Sequence, residues 1–502
     1  MKLSENNIKL IFGLKLKQLR QEKGLSLSEL AQKSSLSVSY LNEIENGKKS
    51  PKTDKIAALA DALDVSYDRL VSLKLTKHLA PISELLESNL LEQLPLDHYG
   101  IDVHKVLLQI SEAPLQLSAL VSTLIEMAKS LELSENNFSK TAIKTYKELN
   151  ENYFPELEEA VNKFRKKVNF ESKPPIKFKE IRGIILDEFD YKVDEKTLPD
   201  ASGLRTIRGI SIPGGRRKKL LINKKLTDSQ KTFIIGKEIA YNFLDITDRP
   251  QIYSNLRLDS FDQLLNNLKA SYFATALMIN KQLLIDDLLK LFSKKKFDPR
   301  FLLSLPEKYN ASPEMLFQRI TNILSKYFNI NNFFFLRINS AKGSGSYSVT
   351  KEIRLNTKDN PGGYQTNEHY CRRWLSINII KKLDSLQNKN REFKSPIADI
   401  QKSVFTNSGN EYLNISIAKG STLLANSNYS VTLGFLMGND FKQKVVFANN
   451  QEIAQITVND TCERCQIMDC KERVEKPLAY ENRLRLEKLQ QELKEIIEKD
   501  SN

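Results

Sequence analysis

Cysteine is scarce in this chain, with four residues in 502. Four cannot staple a scaffold of that length, so a disulfide-built fold is excluded. Histidine is equally scarce, also four. His78, His98 and His104 precede residue 369, and lone histidines in helical surroundings are more often surface or core residues than ligands. No stretch approaches the ~20 uninterrupted apolar residues of a membrane span. The first residues, MKLSENNIKLIFGLKLKQLR, carry no apolar signal segment, so a cytoplasmic protein without a membrane partner is expected. Disorder is excluded by composition, since 40% of residues are hydrophobic and 27% charged. What is present is length for about three domains. There is also a basic excess, 76 Lys+Arg against 62 Asp+Glu for a net charge of +14. That excess permits an anionic partner without proving one.

Residues 8–75 read as short amphipathic helices with clear stops. In the first, Leu10, Leu14 and Leu19 face inward and Gly24 ends the helix. Ser26 or Ser28 caps a helix around SLSELAQK, Ser37 caps VSYLNEIENG, and Thr53 or Asp54 caps TDKIAALADALD. Two short helices across a tight turn form a helix-turn-helix, whose second helix enters the major groove of double-stranded DNA. The candidate reading residues are Ser37, Val38, Ser39, Tyr40, Asn42 and Glu43, with Asn42 suited to an adenine edge. Lys48 and Lys49, with Lys52, suit backbone phosphates. The alternative is a helical bundle that binds no DNA. The string LAQKSSLSVSYLNEIENGKKSP, with Arg20 upstream, resembles the Xre/Cro–phage repressor class. That resemblance implies a buried Arg20–Glu45 ion pair and a homodimer on paired half-sites.

Residues 78–170 show helical patterns suited to a linker or dimerisation region. Residues 175–330 turn to mixed α/β character: IRGIILDEFDYKVD reads as helix then strand, and KKLLINKKLTDSQKTFIIGKEIAYNFLDI as strand, turn and capped helix. A zinc peptidase needs His-Glu-x-x-His on that helix. Here stands Lys237-Glu238-Ile239-Ala240-Tyr241. The layout resembles the ImmA/IrrE-type metallopeptidase domain with its ligands gone. Asn267 and Lys269 stand where that family has an acidic ligand. A lysine ammonium does not bind zinc at neutral pH, so no peptidase activity is expected. The run Gly214-Gly215-Arg216-Arg217-Lys218-Lys219 is either a phosphate cradle or a solvated hairpin turn.

Residues 331–478 read as an α+β domain with an antiparallel sheet, its strands in FNINNFFFLRINSAKGSGSYSVTKEIRL, EYLNISIAKGS, SNYSVTLGFLMG and KQKVVFANNQEIAQITV. All four cysteines lie here: Cys462, Cys465 and Cys470 within nine residues, and Cys371 far upstream. Four thiolates suit an iron-sulfur cluster or a structural zinc, and a three-plus-one spacing favours a 4Fe–4S cluster; unligated thiols are the remaining reading. Residues 479–502 form a terminal amphipathic helix with Leu484, Leu486, Leu489, Leu493 and Ile496–Ile497 on roughly one stripe, as a coiled coil or a docked helix.

Taken together, the head, the ligand-less peptidase-like segment and the motif Cys-x-x-Cys-x4-Cys-x-x-Arg resemble the short-chain fatty acyl-coenzyme A regulator family. The matching strings are ASYFATALM, FFFLRINSAKG, two glycines followed by Cys371 and Trp374, VTLGF and CERCQIMDCKER. The resemblance implies Cys371, Cys462, Cys465 and Cys470 as cluster ligands and a short-chain acyl-coenzyme A (acyl-CoA) effector. It further implies control of carbon and fatty-acid metabolism. Arg337, Lys342 and Arg373 are candidate partners for the coenzyme phosphates, on charge alone. The expected fold is multidomain: an all-α head, a helical middle and an α+β C-terminal half. The expected protein is a transcription regulator, with a zinc-dependent peptidase or a regulator holding only a structural zinc as alternatives.

Overall fold

The computed structural model describes residues 5–72, 135–170, 173–198, 207–214, 217–253, 260–356, 368–424 and 426–500. His98, His104 and the expected helices from 78 to 134 lie outside the described residues. So do Gly215 and Arg216 of the glycine–cation run, and Gly362 and Gly363. The chain divides into two compact units.

The N-terminal unit holds α1 (Glu5–Glu22), α2 (Leu27–Ser34), α3 (Val38–Glu45), α4 (Thr53–Leu63) and α5 (Tyr67–Val71). Each boundary has a local cause. Gly24 ends α1 at φ +67°, where a side chain would be strained. Ser26 caps α2 in a reciprocal capping box with Glu29, and Ser37 caps α3 by accepting from the Tyr40 N–H at 3.2 Å. The expected cap of α4 is displaced. Thr53 is the first helical residue, and Lys52 stands at the cap with no side-chain bond. Leu16, Leu19, Leu30, Leu41, Ile44, Leu59 and Leu63 close the core. At Gly13 a Cβ would fall 2.2 Å from the Ile44 carbonyl, so α1 meets α3 only because that position is bare. The Arg20 guanidinium grips the Glu45 carboxylate at 2.6 and 2.9 Å, and both are buried. The pair ties α1 to α3 as the sequence implied.

The second unit has two sheets. The first is ordered β1-β3-β2-β4, from β1 (Tyr191–Asp194), β2 (Gly209–Ile212), β3 (Lys218–Ile222) and β4 (Ile252–Tyr253). β1 runs parallel to β3, and the other neighbours are antiparallel. Its core takes side chains from α7 (Pro155–Lys167), α8 (Phe178–Phe189), α9 (Asp228–Phe243) and α10 (Phe261–Met278). Thr227 caps α9 with Gln230 in a capping box, at the predicted position. Ahead of this core, α6 spans Glu135–Leu149.

The larger sheet is ordered β10-β7-β8-β9-β5-β6. Its strands are β5 (Phe333–Ala341), β6 (Ser348–Leu355), β7 (Ile397–Phe405), β8 (Glu411–Gly420), β9 (Ser427–Leu436) and β10 (Gln455–Val458). Helices α11 (Lys281–Phe292), α12 (Pro299–Lys308) and α13 (Pro313–Phe328) share a core with Phe333 and Phe335. Alternation along β5 sends Phe334 and Leu336 to the opposite face, with Trp374 and Ile377 at α14 (Leu375–Lys389).

Two expectations change. The sheet is not wholly antiparallel, because β10 pairs with β7 in parallel. Within KQKVVFANNQEIAQITV only Gln455–Val458 is a strand, and the preceding residues form α15 (Asn439–Lys444) and a 3-10 turn. Phe441, Val445 and Ala448 are buried at helical spacing, which outweighs the short Val-Val-Phe alternation. One core ends at Leu277 and the next begins at Met278, so α11–α13 serve the larger sheet. The last helix, α16 (Leu478–Asp500), exposes Leu484, Leu486, Leu489 and Leu493; the side chains of Ile496 and Ile497 lie outside the described residues.

Candidate functional site

The start of α3 presents its side chains outward. Ser37, Val38, Ser39 and Asn42 are exposed, while Leu41 and Ile44 anchor the helix from behind. The Ser37 cap holds the first turn in place, so the exposed residues project from a fixed frame. Glu43, also offered for base reading, is half-buried. Its carboxylate pairs with Lys49 at 2.7 Å, and Lys49 lies 5.9 Å over the Tyr40 ring. Glu43 therefore positions a cation beside the reading face. Lys48 is exposed beside it. Asn42 accepts from the Asn46 amide at 2.9 Å, which orients its own amide and leaves it at the surface.

The helix that would carry zinc in a peptidase holds a closed charge box. Glu238 is fully buried. Its carboxylate accepts from Tyr191 at 2.5 Å, Ser211 at 2.9 Å, Arg249 at 2.6 Å and the Tyr253 hydroxyl. Three of these donors meet Oε1 and one meets Oε2, so the carboxylate is held from within the protein. Lys237 donates to Asn267 and lies 5.1 Å over the Tyr253 ring. Burial, helped by the charges of Lys351 and Arg208, lowers its ammonium to about 7. Asn267 thus partners Lys237 at the place where a third metal ligand was sought. Tyr191, Ser211, Arg249 and Tyr253 were not foreseen; they come from other elements, and no local spacing links them to Glu238.

The cysteine segments are zipped together. An isolated bridge joins Tyr370 to Thr461, the Cys371 N–H reaches the Asp460 carbonyl at 3.1 Å, and the Cys462 N–H reaches that of His369 at 2.8 Å. Arg473 donates to the carbonyls of Cys462, Cys465 and Ile467 at 2.8, 3.2 and 2.6 Å. That arginine closes the loop; its place in the motif was visible, but its role was not. Cys371, Cys462 and Cys465 are buried and Cys470 is half-buried. Burial, with the neighbouring Cys465 and Cys462, pushes the Cys371 thiol up to about 11. Soft sulfur donors therefore share one shielded neighbourhood, which suits the chemistry of iron or zinc. Among the described residues no three His, Cys, Asp or Glu side chains are grouped so that they could hold a metal ion.

The three cations suggested for coenzyme phosphates are not gathered. Arg337 contacts Glu314 at 3.1 Å and stacks 4.8 Å over Tyr429, on the α13 face of the sheet. Arg373 precedes Trp374, which packs on the opposite face. Lys342 is exposed in the turn after β5.

Comparison with known proteins agrees with two of these regions. Residues 16–70 match the helix-turn-helix family and residues 193–321 the IrrE N-terminal-like domain. No curated protein matches the chain. Among solved structures, a Mycobacterium tuberculosis transcriptional regulator is similar at 14% identity, covering 66% of this chain and 92% of that one, with a TM-score of 0.46. The restriction-modification controller protein C.AhdI from Aeromonas hydrophila is 39% identical over 12% of this chain and 94% of its own, with a TM-score of 0.12. Residues 16–70 are thus an Xre-type helix-turn-helix domain, and an IrrE-like domain follows. Among the described residues no helix is long and apolar enough to cross a membrane.

Proposed function

We propose that this Xre-type DNA-binding regulator reads its operator as a homodimer and adjusts its grip to a small metabolite. A short-chain acyl-CoA is the effector class favoured here, with control of carbon and fatty-acid metabolism as the output. The observation that carries the reading is the exposed first turn of α3, capped by Ser37 and flanked by Lys48 and Lys49. Ser37, Val38, Ser39 and Asn42 stand exposed while Tyr40 and Leu41 pack on the core, so the exposed side chains can meet base edges and phosphates.

The IrrE-like domain acts in this reading as a non-catalytic scaffold. Glu238 is consumed by four donors, and a lysine stands where an imidazole would bind zinc. Zinc-dependent proteolysis by the purified protein, lost in Glu238→Gln, would overturn that view. For the cysteine loop we favour an iron-sulfur cluster of the 4Fe–4S type held by Cys371, Cys462, Cys465 and Cys470, with a structural zinc as the second reading. Such a group would cross-link the two zipped segments. Iron, sulfide and zinc analysis after anaerobic purification separates the two.

The test of the main reading begins with operator selection from a random duplex pool at physiological salt. Asn42→Ala is expected to weaken the selected operator about tenfold, in line with ~1–3 kcal/mol for a bidentate base contact. Binding to unrelated duplex should hardly change. Equal loss on both would remove α3 as the reading helix. Short-chain acyl-CoA added to the complex is expected to shift operator affinity, and no shift would remove the effector.

A further inference from the structure

We infer that Asn46 is a specificity-determining residue of the reading head. It turns the Asn42 amide so that α3 selects a guanine rather than the adenine that an asparagine by itself suits. This rests on α3 being the reading helix, as proposed above, and adds which base that helix prefers.

Asn42 is exposed on α3, and Asn46 stands one turn further on, half-buried at the C-cap. The end of the helix is pinned. Gly47 lies at φ +65°, and the Lys48 N–H reaches back to the Glu43 carbonyl at 2.8 Å. On that fixed backbone the Asn46 amide has one satisfied orientation. Its Nδ2 donates to the Asn42 backbone carbonyl at 2.8 Å. A carbonyl only accepts, so the nitrogen of Asn46 and not its oxygen must stand there. The same Nδ2 lies 2.9 Å from the Asn42 Oδ1. Turning the Asn42 amide over would set one amino group against another, two donors with no acceptor between them. The backbone carbonyl therefore fixes Asn46, and Asn46 fixes Asn42. The Asn42 oxygen is drawn toward the C-terminal end of α3, and its nitrogen is left to lead.

That orientation changes what Asn42 reads. In the major groove an adenine edge sets an acceptor, N7, beside a donor, N6, and an asparagine matches both by offering its oxygen and its nitrogen together. With Oδ1 engaged by Asn46, Asn42 offers chiefly a donor. A guanine edge sets N7 beside O6 and so presents acceptors alone. The adjacent acceptor on the helix is withdrawn as well. The Glu43 carboxylate is held by the Lys49 Nζ at 2.7 Å, so it is not set to take an amino group from adenine or cytosine. Lys49 is itself a second donor beside the reading face. Both adjustments favour the base whose edge only accepts.

The test uses the full chain and duplexes selected from a random pool at physiological salt. The position that Asn42 reads is the one whose base preference disappears in Asn42→Ala. Guanine is expected there, bound about tenfold more tightly than adenine, the scale of one side-chain contact to a base edge. Asn46→Ala removes the anchor and lets the Asn42 amide turn either way, so the guanine-to-adenine ratio should fall to about twofold or less. Asn46 has φ −87° and ψ 8°, which alanine adopts without strain, so the variant should fold; circular dichroism checks this. A role for Asn46 in stability alone would weaken every duplex alike and leave the ratio unchanged, and that result overturns the inference. Adenine, thymine or cytosine at the Asn42 position of the wild-type operator overturns it too, without any variant of Asn46. In both cases α3 remains the reading helix. An Asn42→Ala protein that keeps every base preference removes α3 as the reader, and the base assignment falls with it.

Discussion

Two buried ion pairs govern separate parts of the molecule, and each gives a residue-scale prediction. Removing one partner of a buried pair strands the other and costs ~3–5 kcal/mol. Glu45→Ala leaves the Arg20 guanidinium buried without its carboxylate, so the head should melt earlier in thermal denaturation followed by circular dichroism. In the second unit Arg319 of α13 grips Glu158 of α7 at 2.6 and 3.0 Å, and Tyr272 adds a third donor. Burial would raise the Glu158 carboxyl, but the hydrogen bond and charge of Arg319 outweigh it and hold the group below its ordinary 4.5. A carboxyl depressed in the folded state contributes stability that is full above the ordinary value and lost as pH falls through the lower folded one. Denaturation midpoints should therefore drop below pH 4.5 in the wild type, and Glu158→Gln should flatten that slope while lowering stability at pH 7. A slope unchanged by Glu158→Gln would assign the acid sensitivity elsewhere. Arg20 and Glu45 were readable because a repressor-class string places them; Glu158 and Arg319 were not, since 161 residues separate them and neither lies in a motif.

At the scale of elements, boundaries were legible where a cap is local and obscure where packing decides. Ser26, Ser37 and Thr227 each accept from an N–H three residues on, so the signal and the structure share one short segment. The segment 442–449 reads as strand because Val445, Val446 and Phe447 match two periods at once, yet it forms the end of α15 and a 3-10 turn. Only the buried face of the finished core separates them. Gly236 shows a constraint of the same kind. A Cβ there would lie 3.1 Å from the Ala274 Cβ, so α9 and α10 approach through a bare position. Gly236→Val should force those helices apart and cost ~1–3 kcal/mol, as overpacking does. Denaturant titration of the full chain checks this, and an unchanged midpoint would mean the contact relaxes freely.

The whole molecule joins parts whose legibility differs for a physical reason. The reading head is contiguous, so its residues and their frame sit in one stretch of sequence. The cysteine loop was found by composition, but Arg473 as its clasp and the bridge at Tyr370 emerge only from the fold. The box around Glu238 had no local signature, because Tyr191, Ser211, Arg249 and Tyr253 come from separate parts of the chain. The proposed homodimer belongs to this scale too. Leu486, Leu489 and Leu493 follow three-and-four spacing, are exposed on α16, and are continued in sequence by Ile496. That spacing is the seam of a two-stranded coil, and a second copy supplies an identical stripe. Operator half-sites require two heads, and joining them raises the effective concentration of the second, worth ~10²-fold or more in affinity. Leu486→Asp with Leu489→Asp should therefore convert a dimer to a monomer in sedimentation and lower full-operator affinity by about that factor. Binding to a single half-site should be unchanged, since both residues lie far along the chain from α3 and contribute nothing to its cap or core. A dimer that persists in the double variant would place the self-contact elsewhere and leave the α16 leucines without a role in operator reading.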